Sequence, residues 1–124
     1  MEYQDKVCST SPYFEIPERN LERFKKYCER YIKETAKEPK CLFYGFSFNG
    51  NVAHCRESFL DADGVLEHMK NVMKLNIETI NMAKIVRFEV HGPKDEIDKL
   101  REPLAFLKPT FFELEYEFRR PVVL

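Results

Sequence analysis

The sequence predicts an α+β fold: an antiparallel sheet on a split β-α-β plan, βαββαβ, with both helices on one face. Three observations predict it. A hairpin signature, Asn49-Gly50, sits inside the strand-like stretch CLFYGFSFNGNVAHCRESF, residues 41–59. A stripe of apolar residues at helical spacing lies on either side of that hairpin. A strand-like segment closes each end, and right-handed crossovers between these elements give the split plan.

The hairpin is the organising element. Asn-Gly supplies the two positive φ angles of a two-residue type I′ turn. With Asn49 and Gly50 as the turn, Phe48 is expected to face Asn51, Phe46 to face Ala53, Tyr44 to face Cys55 and Leu42 to face Glu57. Side chains alternate along a strand. Leu42, Tyr44, Phe46, Phe48, Ala53, Cys55, Glu57 and Phe59 therefore share one face. Cys41, Phe43, Gly45, Ser47, Val52, His54, Arg56 and Ser58 share the other.

In chain order, residues 1–10 are mixed and read as frayed or loosely docked. Tyr13, Phe14 and Ile16 make a short first strand, with Pro12 at its start or at a bulge. Pro17 suits the first turn of a helix, where its missing N–H costs nothing. From Glu18 to Lys37, Leu21, Phe24, Cys28, Tyr31 or Ile32, and Ala36 form one stripe. Pro39 closes that helix.

After the hairpin, Asp61 caps a second helix through Val65, Leu66, Met69, Val72 and Met73. Residues 75–82 read as a further short helix or a packed connection. Ala83 to Val90 is the next strand, stopped by His91-Gly92-Pro93. A third helix starts near Asp95 and buries Ile97, Leu100, Leu104 and Leu107, with Pro103 kinking or splitting it. The last stretch, TFFELEYEF, alternates most regularly: Phe112, Leu114, Tyr116 and Phe118 against Glu113, Glu115 and Glu117. Residues 1–124 read as a single domain, with a core over 12–90 and a helix–strand extension over 91–120.

Composition narrows the function. A formal net charge of -1, with Lys and Arg interspersed among Asp and Glu, argues against a nucleic-acid partner. No apolar run approaches the ~20 residues of a membrane span, and MEYQDKVC lacks the pattern of a signal peptide. The cytoplasm is the expected compartment, with no membrane association. The four cysteines then read as reduced, small buried hydrophobes. Helices on one flank leave the other side of the sheet uncovered, and a second copy of the chain is its simplest cover. A homodimer packed sheet against sheet is therefore expected.

The passage KEPKCLFYGF, the run Arg56-Glu57-Ser58-Phe59 and the helix start ADGVLEHM resemble the antibiotic-biosynthesis-monooxygenase-like branch of the dimeric α/β-barrel superfamily. The resemblance covers roughly Pro12 to Val90; Lys40 stands where the family usually has glycine. It implies a ferredoxin-like protomer, a dimer whose two sheets form a barrel, and a cleft between sheet and helices. Members include cofactor-independent oxygenases of aromatic substrates, haem-degrading enzymes and many proteins of unknown role. The Asn, Trp and axial-His set of the haem-degrading members is missing, and the chain has no Trp.

Candidate chemistry centres on two residues. His68, at the edge of the second helix's stripe, is placed to act as general base on an acidic aromatic or enolic substrate, or to bind a ligand's polar end. Glu57, a carboxylate on an otherwise apolar strand face, must be paired with Arg or have a raised pKa. Tyr44 offers a hydroxyl on the same face. His54 with Arg56, and Arg87 with Glu89 and His91, sit on strands on the order of 10 Å apart; they suit two sides of one ligand or a dimer-interface network. No nucleophile elbow, phosphate loop or His/Cys metal spacing occurs, so neither cofactor nor metal is expected. Two readings follow. In the first, a cleft lined by Leu42, Tyr44, Phe46, Met69, Met73 and Phe88 or Val86, with His54 and Arg56 as polar contacts, binds a small apolar molecule, aromatic or fatty-acid-like. In the alternative, the chain is a cofactor-independent monooxygenase-like enzyme for an electron-rich aromatic or polyketide-type substrate, with His68 and Glu57 as the catalytic pair.

Overall fold

The computed structural model describes residues 5–120. Strand β1 (Cys8–Glu15) is followed by helix α1 (Leu21–Thr35), strands β2 (Cys41–Asn49) and β3 (Val52–Phe59), and helices α2 (Ala62–Asn71) and α3 (Met73–Thr79). Strand β4 (Lys84–Gly92), helix α4 (Lys94–Leu100) and strand β5 (Thr110–Glu113) complete it. The sheet order is β2-β3-β1-β4-β5. The first four strands pair antiparallel, as the split plan requires, and β5 joins β4 in parallel. Among the described residues no helix is long and apolar enough to cross a membrane.

The first strand is longer than the sequence suggested. It begins at Cys8, not Tyr13, and holds Pro12 in the middle of a central strand. Residues 8–10 are thus ordered strand; residues 1–4 lie outside the described chain. The proline is tolerated because the ladder to β3 is interrupted there: Thr10 pairs with Glu57 and Tyr13 with His54, with no partner for Ser11 or Pro12. A proline without an N–H fits a gap in the ladder.

The hairpin also departs from expectation. Asn49 pairs with Val52, Phe48 with Ala53, Phe46 with Cys55 and Tyr44 with Glu57, so the turn is Gly50-Asn51. Gly50 has φ of +59° and Asn51 does not share that region. A glycine at the first central position is the type II′ pattern, not I′. Asn51 is tied down instead: its carbonyl accepts from Ile16 N at 2.9 Å and its side-chain amide donates to Ile16 O at 3.2 Å. Each partner has moved by two residues, so the division into faces survives from Phe43 onward; a bulge between Cys41 and Phe43 sets Cys41 opposite Phe59 and packs it with that residue, off the face expected for it. The change puts Tyr44, not Leu42, opposite Glu57.

Helix α1 takes its stripe as Phe24, Cys28 and Tyr31; Ile32 is 42% exposed. Asp61 caps α2 by accepting from Gly64 N at 2.9 Å. The second helical run breaks at Val72 and resumes as α3. Helix α4 ends at Leu100, before Pro103, and a short 3-10 turn covers Ala105–Leu107. The regular alternation of TFFELEYEF becomes a strand only over Thr110–Glu113. Its partner strand runs out: Glu113 pairs with Gly92, Leu114 N donates to Gly92 O at 2.8 Å, and Pro93 follows. Leu114, Tyr116 and Phe118 are left 42%, 92% and 81% exposed.

The core is not one mass. Cys8, Phe59, Val65, Val90 and Ile97 pack under α2 and α4. Ile16, Phe24 and Ala53 pack under α1. Tyr31, Val72 and Leu75 form a third cluster between α1 and α3. Between the three lies a cavity.

Candidate functional site

Alternation along β3 turns Ala53, Cys55, Glu57 and Phe59 toward the helices. On one side Thr10 of β1 pairs with Glu57, and on the other Tyr44 of β2 does. Helix α2 lies over this point and lowers His68 onto it. The His68 ring stands 5.1 Å from the rings of both Tyr44 and Phe59. Glu57 and His68 are 7% and 4% exposed.

The polar contacts form a line. Glu57 Oε1 accepts from the Thr10 hydroxyl at 2.7 Å and lies 3.6 Å from His68 Nε2, just beyond hydrogen-bond length. His68 Nδ1 lies 2.9 and 3.1 Å from the two oxygens of Glu38. A carboxylate can only accept, which puts the proton on Nδ1 and leaves Nε2 directed at Glu57. Glu38 is held there by the end of α1: its own N donates to Thr35 O at 2.9 Å. Asn71 fixes it further, donating to Glu38 Oε2 at 2.8 Å and to Glu34 O at 2.9 Å.

Burial pushes the Glu57 carboxyl above its ordinary value; the neighbouring His68 and the Thr10 hydroxyl pull the other way without overcoming it. Burial also raises the Tyr44 hydroxyl and the Cys55 thiol, each with the nearby Glu57 charge adding to the effect. Both stay protonated and serve as neutral hydrogen-bonding groups.

Tyr44, Cys55, Glu57 and His68 form part of the wall of a cavity of about 910 Å³. The rest of the wall is mostly apolar, from Phe14, Phe46, Leu66, Met69, Val72 and Phe88. Met73, Ile77, Ile80 and Phe106 also line it and are 55%, 67%, 71% and 71% exposed, so they form its mouth. Ile85, not Val86, joins Phe88 on the β4 side, and Leu42 is not part of the wall. Among the described residues no group of three or more His, Cys, Asp or Glu could hold a metal ion.

Of the sequence-derived candidates, the structure gathers His68, Glu57, Tyr44, Phe46, Met69 and Met73 around this one cavity. His54 and Arg56 are not in it. They project from the opposite face of β3, where the His54 ring lies 4.6 Å from Tyr13 and the Arg56 guanidinium 4.4 Å from Phe43. On the same face Glu89 pairs with His91 at 3.0 Å and with Arg87. All four cysteines are free. Thr10 and Glu38 complete the site and were not anticipated.

A sheet backed by helices, with a buried carboxyl–histidine pair facing an apolar cavity between them, defines an α+β protein of the ferredoxin-like kind, a fold suited to holding small molecules. No protein-family model and no curated protein matches the sequence. Solved structures do. MupZ from Pseudomonas fluorescens is 60% identical, with a TM-score of 0.91 over 96% of this chain and 98% of that one. A "putative antibiotic biosynthesis monooxygenase" from Nitrosomonas europaea gives a TM-score of 0.66 at 11% identity, over 74% of this chain and 94% of that one. A protein of the same description from Bacteroides thetaiotaomicron gives 0.60 at 18%, over 68% and 85%. The chain belongs to the family of MupZ, and it shares its fold with the two more distant proteins.

Proposed function

We propose that the cavity binds an elongated, mostly apolar small molecule and that Glu57 and His68 move a proton at its reacting group. One observation carries this reading: a carboxyl raised by burial faces a histidine nitrogen at 3.6 Å inside the cavity wall. Burying such a pair costs stability that a passive apolar carrier has no need to spend. An enzyme does need it, because an acid and a base with pKa values near working pH are what proton transfer requires.

The roles follow from the geometry. His68, its Nδ1–H given to Glu38, has Nε2 free to take a proton from a substrate O–H or acidic C–H. Glu57, held toward its neutral form, returns a proton to an oxygen on which charge develops. The Tyr44 hydroxyl, pinned as a neutral donor, steadies that oxygen. Proton abstraction is also the first step that a cofactor-independent oxygenase of the alternative kind would need. Identifying a co-purifying ligand by mass spectrometry, then following its conversion with and without oxygen, tests the reading. Turnover that survives Glu57→Gln at the wild-type rate would sink the proton-transfer role.

The same reading includes a second copy of the chain across the open sheet face. Phe43 and Val52 are 43% and 36% exposed there. At the opposite edge of the sheet, the arm after β5 exposes Leu114, Tyr116 and Phe118. Exposed apolar surface of this extent marks an interaction site, and a self-complementary sheet face favours a two-fold dimer.

A further inference from the structure

The cavity contains a second polar cluster, on the wall that α1 and α3 share. Tyr31, 7% exposed, donates its hydroxyl to Asn76 Oδ1 at 2.6 Å. The Tyr31 oxygen also lies 3.1 Å from Thr79 Oγ1. A phenol has one hydrogen to give, so with that hydrogen on Asn76 the single Thr79 hydrogen is shared between the Tyr31 oxygen and the Asn76 main-chain carbonyl, 3.3 Å away, and neither arrangement uses a lone pair of Thr79 Oγ1. All three residues line the cavity.

The bookkeeping of donors and acceptors leaves a definite pair unused. Asn76 keeps both hydrogens of its amide, and Thr79 Oγ1 keeps a free lone pair. A donor and an acceptor side by side complement a hydroxyl group, which accepts through oxygen and gives its hydrogen. A ketone or an ether could use only the amide. Burial pushes the Tyr31 hydroxyl up to about 12, so it remains a donor and the arrangement does not change with ordinary pH.

We propose that Tyr31, Asn76 and Thr79 form a second station in the cavity that holds a hydroxyl group of the substrate, away from the atom that reacts. This rests on the cavity being the substrate site. The Phe46 ring, 5.5 Å from Tyr44 and 5.9 Å from Tyr31, touches both stations and keeps them apart. The substrate class is therefore an aliphatic chain carrying a hydroxyl several carbons from its reacting group, not a plain fatty acid or a flat hydrocarbon.

The test is displacement of a bound apolar fluorescent dye by dodecan-1-ol, the positional dodecane-1,n-diols and the matching keto-alcohols. The expected result is that one position, or two adjacent ones, favours the diol about fivefold over both dodecan-1-ol and the keto-alcohol, which is what one net hydrogen bond supplies. In Thr79→Val, of equal size but without the acceptor, the diol preference over the keto-alcohol falls to about one. Dye displacement by dodecan-1-ol with no preferred diol, or a preference unchanged in Thr79→Val, overturns the hydroxyl station and leaves the cavity reading standing. Failure of dodecan-1-ol and every diol to displace the dye overturns the cavity reading itself.

Discussion

Glu57 Oε1 and His68 Nε2 lie 3.6 Å apart with side chains 8% and 5% exposed, a carboxyl and an imidazole facing each other across the gap between β3 and α2. Their separation is longer than a hydrogen bond. A substrate oxygen entering from the cavity can meet both without first breaking a strong bond between them.

Glu57→Gln keeps the shape and can still accept from the Thr10 hydroxyl, but it cannot carry the proton. Turnover should fall roughly 10²–10⁴-fold. Stability should change in the opposite sense. Between its ordinary value of 4.5 and its raised value, Glu57 holds a proton in the folded chain that the unfolded chain has lost. Wild-type stability therefore declines as pH rises through that window and levels off above it. The glutamine variant should lack this component, so urea midpoints measured from pH 4 upward should separate in its favour. Parallel curves at every pH would contradict the raised carboxyl.

Glu38 touches His68 and not the cavity's reacting end, so it is a positioning residue. Glu38→Gln retains the contact with Asn71 and loses the charge that fixes the Nδ1–H tautomer. Long-range ¹H–¹⁵N spectra should show His68 protonated on Nδ1 in the wild type and a tautomer mixture in the variant. Turnover should fall by about 100-fold or more while affinity for apolar ligands changes little. An unchanged tautomer would remove Glu38 from the mechanism.

The order of elements was legible because hydrophobic period and proline punctuation are local signals. The faces of the hairpin from Phe43 onward were legible for the same reason, since parity survives a two-residue slip; the bulge that turns Cys41 toward Phe59 has no such local signal. Thr10 was not. It sits in STSP, where short polar side chains hide a strand whose backbone is paired on both sides. Nor was Glu38, one acidic residue in the charged run KETAKEPK. Only the turn after α1 and the descent of α2 bring it to His68. His54 and Arg56 were misplaced for a simpler reason: alternation put them together, but it does not say which face receives the helices.

Gly50 tests the corrected turn. A Cβ there would meet nothing within 4 Å, so the cost of Gly50→Ala is the backbone alone, at φ +59°. A loss of about 1–2 kcal/mol is expected in denaturant unfolding. Asn49→Ala should cost much less than Gly50→Ala, because Asn49 is strand rather than turn. Equal losses would favour the Asn49-Gly50 turn instead.

The cavity mouth can be closed without disturbing the core. Met73 is 55% exposed and lines the opening. Met73→Trp adds bulk at the rim, so binding of an apolar fluorescent dye should weaken at least about tenfold with the melting temperature within a few degrees of wild type. Undiminished dye binding would place the dye elsewhere.

The dimer proposal makes the final prediction. Phe43 lies on the open face under the Arg56 guanidinium and away from the cavity. Two copies meeting there would bring Phe43 out of water, and Phe43→Glu would then place a carboxylate in an interface that had held an aromatic ring. Desolvating a charge that is poorly paired costs several kcal/mol. Sedimentation at micromolar concentration should therefore show a dimer for the wild type and a shift toward monomer for Phe43→Glu. Because Phe43 is outside the buried clusters, the variant's circular dichroism should match the wild type. A wild-type chain that sediments as a monomer throughout would remove the second copy, and the open face would then need another occupant.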